Sequence, residues 1–409
     1  MTRHRWVGVA AALLGIVAAA AIALLAVSSA NTEPVSPFPT ASATASPTSS
    51  PRPSGSPSGR FDDGSWLTYG YDNARTRFNP LVQLRPPFTV KWRFAAKDLL
   101  EFPPIIEGDR LYINTGHGRV YCLDAADGRI VWRFNTRGKL ASSPTLAQGT
   151  LYVSSLRSLL FALDAATGRL LWTVKLGGPS ECSPLVWRDR VMLGAWDGAV
   201  YAVDTRTQSV AWKLQTGGPV KSSAALLDDR LVIGSYDGRA YCVDYDGNVK
   251  WRFRATRFWV AADKFYATPA LAYHTAYIGS IGNTIYAIDL VTGHQRWATH
   301  TGGWVYSSPA VWRDLVFEGS YDRTFYALDA ASGKVRWRFR VDSPVSGSPT
   351  VIDGVVYFSS LDRHTWGLDC RTGKVLWQFA DGRYTAVTAG LNTLYLCGSQ
   401  TLYALVEKR

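Results

Sequence analysis

A twelve-residue pattern recurs along this chain and restricts its fold more than any other feature. In the copy FALDAATGRLLW (161–172), a short apolar run leads to Asp, a turn with Gly, and a second apolar run that ends in Trp. Seven copies occur, and an eighth tryptophan stands in TVKWRF without such a hairpin before it. The spacings of 40, 40, 40, 39, 46, 40 and 40 residues separate Trp92, Trp132, Trp172, Trp212, Trp251, Trp297, Trp337 and Trp377. A period near forty residues indicates repeated small units in place of two or three independent domains.

Each repeat contains four short runs in which apolar residues alternate, which is the pattern of strands and not of helices. Between residues 141 and 174 these runs are SSPTLA, TLYVSS, LLFALD and RLLWTV. DAATG, between the last two, has turn chemistry, because Asp accepts bonds from amides ahead of it and Gly tolerates a positive φ. Four strands in each forty-residue unit predict the blade of a β-propeller.

The two ends of the repeat array are incomplete in complementary ways. Strand 89–94 has a tryptophan but no blade of its own, whereas residues 384–406 supply three strands (YTAVTA, LYLCG and TLYALV) without a fourth. A propeller closes its ring or leaves sheet edges exposed. We therefore predict an all-β, eight-bladed propeller of four-stranded antiparallel blades, in which the N-terminal strand completes the last blade.

The first sixty residues differ from the repeats. An uncharged run from Trp6 to about Ala30 follows Arg3 and Arg5, and its length and basic flank favour a transmembrane anchor over residues 1–30, with a cleaved signal peptide as the alternative. Residues 31–60 are rich in Pro, Ser and Thr and are predicted to be a disordered linker. The propeller would occupy residues 61–409 on the extracytoplasmic side of the cell membrane, held by a single span, or would be secreted.

Charge, cysteine and histidine patterns exclude several classes of function. The formal net charge is +12, but Lys and Arg are scattered and usually lie near Asp or Glu, so no nucleic-acid groove is expected. The five cysteines lack CxxC spacing and the histidines lack HxH or HExxH spacing, so no metal centre is predicted. Aspartates recur before the third strand of several repeats and are interpreted as turn residues: Asp197, Asp237, Asp322 and Asp362.

One position of the repeat is a candidate binding site. The residue three places before the SSP proline should lie at the mouth of the axial channel, where the innermost strand of each blade begins. That position holds Glu101, Ala141, Glu181, Lys221, Tyr266, Tyr306, Ser346 and Tyr384. Seven of these residues are polar or carry a hydroxyl, either because the channel is simply wet or because they form a ligand platform. The platform would be polar on the Glu181–Lys221 side and aromatic on the Tyr266–Tyr306 side.

A six-residue expansion of one repeat supports the ligand platform. It falls between Trp251 and Tyr266 and brings Phe258, Trp259 and Phe265, while Trp304 lies at the start of the next blade. Aromatic side chains at a propeller rim can stack on sugars or on a partner's side chains. The alternative is that they cover the edge of the fifth blade and bury one another. The predicted ligand residues are Glu101, Glu181, Lys221, Tyr266, Tyr306, Tyr384, Trp259 and Trp304.

The unit A-x-D-x-x-T-G-x-x-x-W resembles the tryptophan-docking repeat of propellers of the pyrroloquinoline-quinone (PQQ) type. That superfamily includes quinoprotein alcohol dehydrogenases and the outer-membrane assembly lipoprotein BamB. The resemblance covers about residues 66–406, and WLTYGYDNARTRFNPL (66–81) is similar to the opening segment of quinoproteins. It implies eight blades and a structural role for the eight repeat tryptophans, which would pack on the neighbouring blade.

The same resemblance raises the question of quinone-dependent oxidation. Quinoprotein enzymes hold PQQ between a tryptophan floor and, in many members, a disulfide of adjacent cysteines, with a calcium ion and an Asp base. This chain has no adjacent cysteines and short loops, and no motif matches the calcium ligands or the base. No cofactor is predicted, with PQQ and calcium as the alternative. The expected function is a non-catalytic, BamB-like binding or scaffold module for a cell-envelope protein or glycan; the alternatives are a PQQ-dependent dehydrogenase and a glycan-binding propeller.

Overall fold

The computed structural model describes residues 64–257, 261–384 and 387–408. The predicted anchor (1–30) and linker (31–60) lie outside the described residues, as do Phe258 and Trp259. Across the described ranges, no helix has both the length and the apolar character to span a bilayer. The secondary structure of these ranges is β throughout, in 35 strands.

Eight antiparallel blades of four strands each account for nearly all of these strands, and one blade carries a short fifth strand that pairs in parallel. Blade 1 contains β3 (Ile105–Glu107), β4 (Arg110–Asn114), β5 (Arg119–Asp124) and β6 (Ile130–Asn135). Blade 2 contains β7 (Thr145–Ala147), β8 (Thr150–Ser155), β9 (Leu159–Asp164) and β10 (Leu170–Lys175). Blade 3 contains β11 (Leu185–Trp187), β12 (Arg190–Gly194), β13 (Ala199–Asp204) and β14 (Ser209–Gln215). Blade 4 contains β15 (Ala225–Leu227), β16 (Arg230–Gly234), β17 (Arg239–Val243) and β18 (Val249–Arg254).

The second half of the ring repeats this order. Blade 5 contains β21 (Ala270–Ala272), β22 (Thr275–Ser280), β23 (Thr284–Asp289) and β24 (Gln295–His300). Blade 6 contains β25 (Ala310–Trp312), β26 (Leu315–Gly319), β27 (Thr324–Asp329) and β28 (Val335–Arg340). Blade 7 contains β29 (Thr350–Ile352), β30 (Val355–Ser360), β31 (His364–Asp369) and β32 (Val375–Phe379). Blade 8 contains β33 (Val387–Gly390), β34 (Thr393–Cys397), β35 (Thr401–Glu407) and β2 (Phe88–Ala95). The short strand β1 (Phe78–Asn79) pairs in parallel with β29 of blade 7, and β19 (Thr256–Arg257) and β20 (Ala261–Ala262) form a separate two-stranded sheet.

The predicted closure of the ring is confirmed in blade 8. Strand β2 pairs antiparallel with β35 from Phe88↔Glu407 to Ala95↔Thr401. Its register shifts by one residue just before Trp92, as the outer strand of blade 2 does just before Trp172. The N-terminal strand therefore has the geometry of an ordinary fourth strand, and the two ends of the array share one sheet.

The repeat tryptophans join each blade to the next. Six of the eight donate their indole N–H to a backbone carbonyl of the following blade over 2.9 to 3.1 Å. The turn glycine of that blade lies against the indole: Gly333 has φ +69°, and a Cβ there would lie 2.6 Å from the ring of Trp297. The other two tryptophans, Trp172 and Trp377, contact the rings of Tyr152 and Tyr357. The recurrent spacing of Gly and Trp in the repeats of this chain thus has a packing reason.

The turn aspartates act as acceptors for backbone amides, as the sequence predicts. In blade 5, Asp289 Oδ1 accepts bonds from Val291 N and Thr292 N, and its Oδ2 lies 2.7 Å from Arg296 Nη2. Burial opposes ionisation of this carboxyl, but the bonds from Thr292 and Arg296 outweigh it and lower the pKa of Asp289 to about 2. Three of the hairpin aspartates also accept a bond from a backbone amide two residues ahead: Asp197, Asp237 and Asp322.

A ladder of hydroxyls joins the starts of the innermost strands. Ser183 N donates to Ser223 Oγ at 2.8 Å, Ser223 N to Thr268 Oγ1 at 3.2 Å, and Thr268 N to Ser308 Oγ at 3.0 Å. The predicted strand SSPTLA is therefore only partly a strand: β7 begins at Thr145, because the backbone amide and the hydroxyl of Ser143 bond to the neighbouring blades. The ladder fixes the position of the mouth residues that precede it.

The N-terminal segment 66–79 runs around the inside of the ring, a path that the sequence analysis did not predict. Its backbone bonds to the middle residue of the innermost strand in blades 1, 2, 4, 5, 6 and 7, namely Ile106, Leu146, Leu226, Leu271, Val311 and Val351. In blade 3 the side chain of Asn73 bonds to Val186 O. Arg75 is fully buried and donates to Ala224 O and Pro184 O. We call residues 66–79 the plug, because they fill the channel beneath its mouth.

Candidate functional site: the channel mouth

The structure brings the predicted mouth residues together around one cavity. Seven of the eight positions line it, Ala141 being the exception: Glu101, Glu181, Lys221, Tyr266, Tyr306, Ser346 and Tyr384. All eight positions are half-buried. The empty space between them is about 520 Å³, part of it open to solvent. The sequence thus located the cavity, while the binding role of its residues stays a prediction.

The plug forms part of the cavity wall. Tyr69 lines the cavity, and its hydroxyl lies 3.2 Å from Ser348 Oγ on blade 7. The ring of Tyr69 is held between Phe102, at a centroid distance of 6.0 Å, and the guanidinium of Arg77, at 4.3 Å. Because the plug lies below the mouth, a ligand would enter from the mouth side and would meet Tyr69.

Lys221 and Glu181 form an ion pair on the wall formed by blades 3 and 4. Lys221 Nζ lies 3.0 Å from Glu181 Oε1, and the two side chains are only 22% and 13% exposed. The same ammonium lies 4.2 Å from the ring centroid of Trp196 and 5.4 Å from that of Tyr236. Trp196 also donates its indole N–H to Glu181 Oε1 at 3.0 Å. The protein's own lysine therefore occupies a box of one carboxylate and two aromatic faces.

Glu101 has no such compensation. Among the residues that the structure describes, no Lys or Arg pairs with this carboxylate and no donor bonds to it. Burial and the charge of Glu181 together raise the pKa of Glu101 above its ordinary value. Burial, followed by the charges of Glu181 and Glu101, also raises the pKa of Tyr266 well above its usual range. The residues that line the described cavity therefore include two carboxylates and one ammonium, and the carboxylate of Glu101 is the one without a bonded partner.

An arc of aromatic rings lines the side of the mouth that blades 5 and 6 form, across the ring from Glu101. The ring centroids of Tyr266 and Tyr306 are 5.2 Å apart, and those of Tyr306 and Tyr321 are 5.0 Å apart. Trp304 lies 6.0 Å from Tyr306 and is 51% exposed, so it extends the arc into solvent. Tyr236 continues the arc toward Lys221, with its centroid 6.4 Å from that of Tyr266.

Three aromatic residues of the mouth were missed by the sequence analysis: Trp196, Tyr236 and Tyr321. Each directly precedes the hairpin aspartate in AWDG, SYDG and SYDR. The corresponding positions in other repeats hold Gly116, Leu156, Ile281 and Leu361. The sequence therefore contained a signal, an aromatic residue in place of Gly, Leu or Ile at one position of the repeat. That this position lies at the channel mouth is decided by the geometry of the hairpin.

Of the three aromatic residues that the expanded loop brings, the structure describes only Phe265. Trp259 and Phe258 lie outside the described residues. Phe265 does not lie at the rim, contrary to the ligand-platform expectation: it is fully buried and packs against Phe253 and Tyr286. Phe265 is thus buried, as the alternative expected, but its ring contacts are with the core of blades 4 and 5 and do not test whether the loop aromatics bury one another.

The comparison with protein families decides the membership of this chain. Residues 89–155, 140–252, 198–303 and 302–407 match a family described as outer membrane protein assembly factor BamB. The chain belongs to this family. The matches together run from residue 89 to residue 407, and they leave the plug of this BamB-family chain outside the matched region. A comparison of the sequence with curated proteins gives no match.

Solved structures from different functional classes share the BamB-family fold of this chain. BamB from Moraxella catarrhalis is 20% identical, with a TM-score of 0.69, over 78% of this chain and 100% of that chain. A europium-containing methanol dehydrogenase is 16% identical, with a TM-score of 0.74, over 84% and 98%. A quinohemoprotein alcohol dehydrogenase from Comamonas testosteroni is 15% identical, with a TM-score of 0.75, over 85% and 81%. At these identities the likeness concerns the fold alone.

Proposed function

We propose that this BamB-family propeller is a non-catalytic binding or scaffold module of the cell envelope, held on the extracytoplasmic side of the membrane by its N-terminal segment. The channel mouth is its ligand site, and the ligand is a partner protein or an envelope molecule. The observation that carries this proposal is the mouth itself: a half-open cavity, walled by an aromatic arc and a fixed ion pair, with the plug beneath it.

The side chains of the cavity do not suit the cofactor that the superfamily implies. PQQ is a planar tricarboxylate, so its site needs cations, and the calcium ion that accompanies it needs several oxygen ligands. The mouth offers the uncompensated Glu101, and its Lys221 is already paired with Glu181. Within the described ranges, no three His, Cys, Asp or Glu side chains form a metal-binding group, and the five cysteines are buried thiols. These features support a binding function over quinone-dependent oxidation.

A reconstitution experiment separates the two classes. The purified full-length protein is incubated with PQQ and calcium, and its absorption spectrum and its reduction of a redox dye with alcohols or sugars are recorded. We expect no bound chromophore and no dye reduction above a sample without protein. A stoichiometric chromophore with substrate-dependent dye reduction would overturn the non-catalytic assignment.

Photocrosslinking in cells tests whether the mouth contacts a partner. A benzophenone amino acid replaces Trp304, which is 51% exposed at the mouth, and in a matched control it replaces Tyr273, which is 55% exposed at the turn between β21 and β22. We expect a discrete adduct from position 304 that is absent from position 273. Equal adducts at both positions, or none at either, would remove the mouth as the ligand site.

Glycan recognition is a second candidate, favoured by the exposure of Trp304 beside Tyr306 and Tyr321. Aromatic faces of this kind stack on the apolar faces of sugar rings. Glycan-array binding should then be abolished by Trp304→Ala together with Trp259→Ala. Array binding that persists in this double variant would exclude the arc as a glycan site.

A further inference from the structure

We propose that the channel mouth selects a cationic group, an ammonium such as a lysine side chain of the partner, which binds between Glu101 and the tyrosine walls. This inference rests on the proposed binding function and specifies the chemistry of its ligand. It follows from two features of the same cavity: one cation box that the protein fills itself, and one carboxylate that nothing fills.

The first feature shows what the mouth accommodates. Lys221 Nζ lies against the faces of Trp196 and Tyr236 while it pairs with Glu181 at 3.0 Å. Its charge is satisfied by that carboxylate and by the aromatic faces, as in sites that recognise ammonium ligands. The wall formed by blades 3 and 4 is thus a cation site with an internal occupant.

The second feature shows what the mouth lacks. Glu101 is on blade 1, on the opposite side of the ring from Tyr266 on blade 5, and both line the cavity. With Glu181 paired to Lys221, Glu101 is the carboxyl group of the described cavity wall that has no cation beside it. A half-buried carboxylate without a partner is costly, and a ligand cation would supply the missing charge.

An anionic or neutral ligand fits this arrangement less well. An anion would approach Glu101 and would have to displace Glu181 from Lys221, because that ammonium is the only cation among the residues that line the described cavity. The charges of Arg77 and Lys264 lie against the rings of Tyr69 and Tyr236. A neutral sugar could stack on Tyr306 and Trp304 but would leave the Glu101 carboxylate unpaired. The unpaired carboxyl of Glu101 and the aromatic faces of the wall therefore both favour a cationic ligand.

The test measures binding of short peptides to the full-length protein by calorimetry. The probes are acetyl-Gly-Lys-Gly-amide, its neutral analogue with norleucine, and its acidic analogue with Glu. We expect binding of the lysine peptide alone and about tenfold weaker binding to Glu101→Gln, since a charge-assisted bond is lost. Asp342→Asn, an exposed carboxylate in the loop between blades 6 and 7, is the matched control and should bind as the parent does.

The variant Lys221→Met distinguishes a cation site from a purely structural role of Lys221. Removal of the internal ammonium empties the box of Glu181, Trp196 and Tyr236, so the lysine peptide should bind several-fold more tightly, although the protein has lost a charge. Equal binding of the lysine and norleucine peptides, an unchanged affinity of Glu101→Gln, or weaker binding to a folded Lys221→Met protein would each overturn the inference.

Two further comparisons distinguish a free amine from a lysine side chain of a partner, and a failure of the cation proposal from a failure of the proposed binding function. Cadaverine, a free diamine, is titrated beside the lysine peptide: tighter binding of the diamine assigns a small amine, and tighter binding of the peptide assigns a side chain of a partner. If no probe discriminates by charge but position 304 still crosslinks to a partner, the cation is wrong and the proposed binding function stands.

Discussion

The closure of the ring can be tested by a disulfide between the two ends of the repeat array. Thr89 on β2 lies directly opposite Val406 on β35, and both side chains are at least partly exposed. Opposite residues in an antiparallel pair have Cα separations within the range of disulfides. Thr89→Cys with Val406→Cys should therefore form a disulfide without moving the backbone.

The expected stabilisation follows from the length of chain that the bond closes. A loop of about 320 residues reduces the entropy of the unfolded chain by an amount worth about 5.7 kcal/mol at 25 °C. A control disulfide, Arg119→Cys with Asn135→Cys, joins opposite residues of blade 1 and closes about 17 residues, worth about 3.1 kcal/mol. The disulfide across the closure should thus stabilise the protein by about 2.6 kcal/mol more than the control disulfide does.

The assay is urea unfolding followed by tryptophan fluorescence, with and without a reducing agent. The native cysteines should not interfere, because all five are buried, and burial raises the pKa of Cys182 to about 12. If the Thr89/Val406 disulfide failed to form under oxidising conditions, or stabilised the protein no more than the control, β2 and β35 would not be paired and the ring would not close in blade 8.

Substitutions at Gly333 and Ser308 test the contacts between blades, and a substitution at Asp289 tests the turn chemistry within one blade. Gly333→Ala places a methyl group against the indole of Trp297 and should cost about 2 kcal/mol more than Gly108→Ala, which has a similar positive φ and no atom within 4 Å, when the two are compared by urea unfolding. Ser308→Ala leaves a buried amide of the hydroxyl ladder without its acceptor and should cost about 1–3 kcal/mol in the same assay, whereas Ser308→Thr should be nearly neutral because blade 5 has threonine there. The pKa of Asp289 falls from 3.8 to about 2 on folding, so its stabilisation is complete above pH 3.8 and is lost toward pH 2; Asp289→Asn should lower the urea midpoint at pH 6 and not at pH 2. An equal loss at both pH values would show that the charge of Asp289 does not contribute.

The sequence located the mouth of the channel because equivalent positions in a repeat have equivalent environments. One aligned slot gave Glu101, Glu181, Lys221 and Tyr266, and the cavity contains all four. The slot did not predict that Lys221 pairs with Glu181, because Lys221 also contacts Trp196 and Tyr236, which belong to two other segments of the chain. The contact of Lys221 with Trp196 depends on the hairpin that contains Trp196 and Asp197, and the sequence analysis interpreted that hairpin only as a turn. The same limit explains why Phe265 was expected at the rim although its side chain points into the core.

The period of forty residues by itself determined the number of blades, the turn chemistry and the closure by the N-terminal strand, because each follows from local strand patterns and from the need to leave no sheet edge unpaired. Only the tertiary structure decided the path of the plug and the charge balance of the mouth. The plug has no period, and its bonds go to strands that are spread over the whole chain. Likewise, whether Glu101 has a partner depends on distances across the ring, and side-chain identity does not encode them.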